Sequence, residues 1–64
     1  MKEAVVVLHK LKRRMNRERM RFNKIYAEST DPLSRERAFG ESNVCGLAIK
    51  FMDEEIVELE KHEH

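Results

Sequence analysis

Between Lys10 and Lys24 the chain places eight basic residues, Lys10, Lys12, Arg13, Arg14, Arg17, Arg19, Arg21 and Lys24, against a single acid, Glu18. Guanidinium and ammonium groups at this density offer one kind of chemistry: charge-assisted hydrogen bonding to phosphates or carboxylates. The residue types do not assemble a catalytic set. There is no nucleophile–base pair, no glycine loop of the kind that cradles phosphate, and no convincing metal set in His9, His62 and His64. The sequence therefore predicts a non-enzymatic protein without cofactor or metal. His62-Glu63-His64 reads as a solvated tail, and His9 as a surface or boundary residue.

The overall formal charge of +1 conceals a split. Residues 1–30 hold nine Lys/Arg against three Glu, a net of +6, and residues 31–64 hold four against nine acids, a net of −5. Six of those acids fall within 53–63, where Lys61 is the one base. The basic stretch needs a rigid element to display it, and the apolar pattern supplies one.

Apolar residues of the first half pair with those of the second so that their numbers add to 60: Ala4 with Ile56, Leu8 with Met52, Leu11 with Ile49, Met15 with Cys45, Phe22 with Ala38, and outermost Met1 with Leu59. Both sets step by threes and fours, the heptad spacing of packed helices. A constant sum means antiparallel and in register. The fold class is thus all-α, a single domain over 1–64 that forms a helical hairpin of two long helices with a coiled-coil-like seam. Helix one is expected over about residues 2–29, the turn at about 30–31, and helix two over about 32–61. Val5-Val6-Val7 weakly favours strand, but the heptad runs through it. Asp31-Pro32 is a helix start, with Asp as cap and Pro at the first helical position; Ser34 is a later alternative. The acidic last turns of helix two oppose the helix dipole and should fray.

Two seam layers are polar. Glu18 faces Ser42 and can also reach Arg14 or Arg21, a register-fixing arrangement; Ile25 faces Arg35 near the turn. Across the flanks, Arg21 should meet Glu41, while Arg14 meets Ala48, Lys12 meets Gly46 and Arg19 meets Phe39. Most of the positive charge is then left uncancelled. Lys10, Arg13, Arg17 and Lys24 form an outward stripe around Met20, with Arg14 and Arg21 at its edge. These six are the expected nucleic-acid-binding residues, with an acidic protein surface as the other possible occupant.

Helix two carries a second apolar face, Val44, Leu47 and Phe51 in line with Gly40 and flanked by Ala48. A helix apolar nearly all round is covered nearly all round. Gly40, Gly46 and Ala48 would also admit another backbone closely. At 64 residues with one cysteine, a disulfide within the chain is excluded, and a hairpin this small needs support. The expected support is self-association through Val44, Leu47, Ala48 and Phe51 into a four-helix bundle; docking a different protein is the alternative. Such a dimer would be similar in size and layout to the small plasmid-copy-number RNA-binding bundle proteins. The run Asn16-Arg17-Glu18-Arg19-Met20-Arg21 resembles the Arg-Glu-Arg-x-Arg basic region of basic helix–loop–helix factors. About eight residues follow Arg21 before the turn and Glu18 falls in the seam, so no role is carried over from that family.

Cys45 on the apolar stripe reads as a buried reduced thiol, consistent with a cytoplasmic protein. The opening apolar run of five is shorter than the about 7–15 residues of a signal peptide or the about 20 of a membrane span. Two functions follow as expectations: a small homo-oligomeric regulator that binds nucleic acid through helix one, or an adaptor or inhibitor, of a bacterial or phage type, that docks a target protein through helix two or the basic stripe.

Overall fold

A computed structural model describes residues 2–62. It is a helical hairpin: α1 spans Lys2–Glu28, α2 spans Pro32–Lys61, and the two pack along their length in a rod about 51 Å long. The link is Ser29-Thr30-Asp31. Its chemistry is local. The Ser29 N–H donates to the Ile25 carbonyl at 2.9 Å, and the Asp31 N–H to Ser29 Oγ at 3.3 Å. Asp31 is extended, at φ −83° and ψ 120°, and its Oδ2 accepts from the Ser34 N–H at 3.3 Å and the Ser34 hydroxyl at 2.8 Å. Pro32 loses no hydrogen bond at the first helical position. Asp31, rather than Ser34, is therefore the cap. At the far end α2 remains helical to Lys61, where Nζ lies 3.5 Å from Glu58 Oε1 and the His62 N–H reaches the Leu59 carbonyl at 3.2 Å.

The Ser34 hydroxyl, with help from backbone N–H groups, holds the Asp31 carboxyl below its usual range. A lowered folded value means the ionised cap contributes fully above the unfolded pKa near 3.8 and is lost as pH falls through the folded value. We expect helicity measured by circular dichroism to decline in the acid range below that unfolded value. Asp31→Asn, which keeps a capping oxygen but does not titrate, should flatten this part of the acid titration; an unchanged profile would remove Asp31 as its source.

The seam on α2 follows the heptad. Ala38, Cys45 and Ile56 are buried, and Ser42, Ile49, Met52 and Leu59 are half-buried. On α1 the helix is rolled relative to expectation. Leu8, Met15 and Phe22 are half-buried, but Ala4, Leu11 and Ile25 are exposed, and Val5, Lys12 and Arg19 occupy the half-buried positions instead. Three contacts along one flank accompany the roll. Lys12 Nζ meets Asp53 Oδ1 at 2.5 Å, the Ser42 hydroxyl donates to Asn23 Oδ1 at 2.6 Å, and the Tyr26 and Phe39 rings lie 5.9 Å apart, tilted by 42°. In each pair the residue numbers add to 65. Lys12 fits a seam position because its aliphatic stem can lie along apolar neighbours while the ammonium reaches water and Asp53. The result leaves a narrow apolar edge of α1, Ala4, Leu11 and Ile25, uncovered along the other flank. The expected Met1–Leu59 layer lies outside the described residues.

Neither helical glycine is approached by anything in the hairpin: a Cβ built on Gly40 or Gly46 would meet nothing within 4 Å. Each lowers helix stability by about 1 kcal/mol relative to alanine, with no contact inside the chain that requires it.

Candidate nucleic-acid interface

The roll of α1 decides which basic side chains are free. Lys12 is taken by Asp53, the one ion pair between the helices among the described residues. The expected meeting of Lys12 with Gly46 is thereby corrected. Arg19 is half-buried, and its Nη2 donates to Asn16 Oδ1 at 3.0 Å. Arg21 does not pair with Glu41 as the flank geometry suggested. It turns back along its own helix to Glu18, Nη2 to Oε2 at 2.7 Å, with its guanidinium 5.2 Å from the Phe22 ring centre. A partner three residues away on the same helix costs less side-chain ordering than one on the facing helix. Glu18 keeps its seam position, half-buried, but Ser42 is bonded to Asn23 and not to it. Arg35 lies over the Tyr26 ring at 4.6 Å, beside the turn, rather than against Ile25.

What remains is a row. Lys10, Arg13, Arg14, Arg17 and Lys24 are all exposed outside the seam, and none has an ion pair or side-chain hydrogen bond among the described residues. Met20, 62% exposed, sits within the row. Arg21, already satisfied by Glu18, closes it on one side. From Lys10 to Arg17 the steps of three and four residues set charges about one turn, 5.4 Å, apart; Lys24 follows about two turns further on, beyond Met20. No carboxylate lies between Lys10 and Lys24 except Glu18, whose charge Arg21 balances.

Arg13 and Arg17 also edge a shallow surface groove with His9, Lys12, Asn16 and, from α2, Ile49. His9 and Asn16 were not among the expected binding residues. Their spacing to Arg13, four positions for His9 and three for Asn16, is the signal that places them on this side of the helix. An imidazole and a carboxamide beside two free guanidiniums add further hydrogen-bond donors to a charged site, the combination that suits phosphate and sugar oxygens.

On α2 the second apolar face stands open. Val44, Leu47 and Phe51 are 64%, 53% and 60% exposed, and Ala48 is half-buried at the edge of the row. No described helix is long and apolar enough to cross a membrane. No three metal-ligating side chains converge among the described residues; His62-Glu63-His64 lies partly outside them.

Glu18→Leu tests whether the seam needs its one acid. Exposed ion pairs contribute about 0–1 kcal/mol, and a leucine there would extend the apolar edge beside Met15 and Phe22. The melting temperature should be unchanged or raised. A large drop would show that Glu18 belongs to a network the hairpin requires.

Fold and surface together define a small antiparallel helical hairpin that displays one basic and one apolar helix face on opposite sides. No protein-family model, curated protein or solved structure matches the chain.

Proposed function

We propose that this chain is a small homo-oligomeric regulator that binds nucleic acid through the outer face of α1. The observation that carries this reading is the row Lys10, Arg13, Arg14, Arg17 and Lys24: five exposed cations with no carboxylate partner among the described residues, on one helix. A helix face of uncancelled positive charge follows a phosphate backbone and gains affinity by releasing its counterions. The row is Lys and Arg alone, side chains whose contacts go chiefly to phosphates, and it holds no Gln or acid for adenine or cytosine edges, so recognition is of backbone and shape more than of sequence, with guanine the base its arginines suit.

Fluorescence anisotropy with short duplexes and single strands tests this. With five contacts, log affinity on duplex DNA should fall with log salt at a slope of about −4 to −5, and less steeply on single strands. Arg13→Gln with Arg17→Gln should shallow the slope by about two and weaken binding evenly across sequences. Helicity should persist, because both residues are exposed and outside the seam. No binding to DNA or RNA at low salt would shift the row to the other class of partner, an acidic protein surface, and the chain to an adaptor or inhibitor.

A further inference from the structure

We propose that the outer row of α2 is the contact between two copies of this chain, paired antiparallel about a two-fold axis that passes between Val44 and Leu47. The proposal rests on the homo-oligomer part of the reading above and adds its register. Gly40, Val44, Leu47 and Phe51 step by four, three and four, a spacing that is the same in both directions. A two-fold interface demands this property, because the same patch must meet itself reversed. Three more residues outward lie Arg37 on one side and Glu54 on the other.

Reversing one copy on the other sets Val44 against Leu47, Gly40 against Phe51 and Arg37 against Glu54, each pair of numbers adding to 91. These are the layers of an antiparallel coiled coil. Each is complementary. Phe51 is a large ring left 60% exposed by the hairpin, and it falls opposite a residue with no side chain. Gly40 has open space above it, and nothing within its own chain requires glycine there. A ring laid over Gly40 accounts for both facts. Arg37 and Glu54 have no ion-pair partner among the described residues, and the pairing gives each an opposite charge, twice by symmetry.

The flanks agree. Glu36 falls opposite Val57, Asn43 opposite Lys50, Glu41 opposite Ala48 and Ser34 opposite Glu55, so no like charges face each other. The seam residues Ala38, Cys45 and Ile56 point away from this row, and the pairing therefore leaves the α1–α2 contact intact. The helices then lie in the order α1, α2, α2, α1. The two basic rows are outermost and face opposite directions.

Sedimentation without nucleic acid, at micromolar concentration, tests the register. The wild-type chain should be a dimer. Gly40→Phe sets ring against ring in two layers, and Phe51→Gly leaves two layers empty; each should weaken self-association by about tenfold or more. Mixing the two variant chains restores one ring and one glycine to every layer. The mixture should form a heterodimer at close to wild-type affinity, and the chain carrying both substitutions should self-associate likewise. A mixture no tighter than either variant alone overturns the register. So does a dimer indifferent to positions 40 and 51 but broken by Leu11→Glu, which would place the axis on the apolar edge of α1. A wild-type monomer overturns both the register and the homo-oligomer reading. The nucleic-acid titration probes another surface, so its failure leaves the pairing standing.

Discussion

Ile56→Asp should leave the chain largely unfolded by far-UV circular dichroism at room temperature. Only three apolar residues of the described chain are buried, Ala38, Cys45 and Ile56, and Ile56 is the largest. Truncating a buried isoleucine costs about 2–5 kcal/mol, and leaving a carboxylate unpaired in its place adds to that. A chain of this length has a total stability of about 3–10 kcal/mol. The neighbouring Val57→Asn is the control, an uncharged change because Val57 falls opposite Glu36 in the paired assembly. Val57 is 52% exposed on the far flank, and surface changes stay within about 0.5 kcal/mol. Helicity lost in the Ile56 variant and kept in the Val57 variant checks the placement of the seam; equal losses would mean that α2 is rolled differently.

Phe51→Glu should be nearly as damaging, for a different reason. In the hairpin taken alone, Phe51 is mostly exposed and its replacement would be close to neutral. In the paired assembly the same carboxylate faces Gly40 in a dry layer and costs several kcal/mol. The prediction is a chain that sediments as a monomer and melts at a lower temperature. The wild-type melting temperature should rise with protein concentration, as linkage to self-association requires, and that of the variant should not. A Phe51→Glu chain with unchanged melting and sedimentation would show that nothing covers the outer row of α2.

The hairpin itself was legible in the sequence because the stripe of α1 finds a match on α2. Of the two apolar faces of α2, the one with Ala38, Cys45, Ile49, Met52 and Ile56 runs the length of the helix in antiparallel register with α1, and Asp31-Pro32 fixes where the helix starts. The roll of α1 was not legible. Apolar counting puts Leu11 in the seam and Lys12 outside it, whereas the long stem of Lys12 and the reach of Asp53 make the opposite arrangement favourable. The same limitation hid the Arg21–Glu18 pair, since a heptad diagram ranks facing residues and says nothing of competition from within a helix. The outward basic row was visible despite the roll, because residues near the far side of a helix remain exposed under a modest rotation. The identity of what binds there leaves no trace in spacing or exposure, which constrain charge and shape but not the partner.

Cys45 gives this fold a built-in clock. It is the one thiol in 64 residues, 5% exposed, and it faces α1 rather than the outer row of α2. A thiol reagent can reach it only when the two helices part. When reclosing outpaces labelling, the modification rate divided by that of the unfolded chain is the fraction of time the hairpin stands open. Separation of two copies at the outer row would not by itself start that clock. The chain thus distinguishes, with its own unmodified side chain, the breathing of one molecule from the dissociation of two.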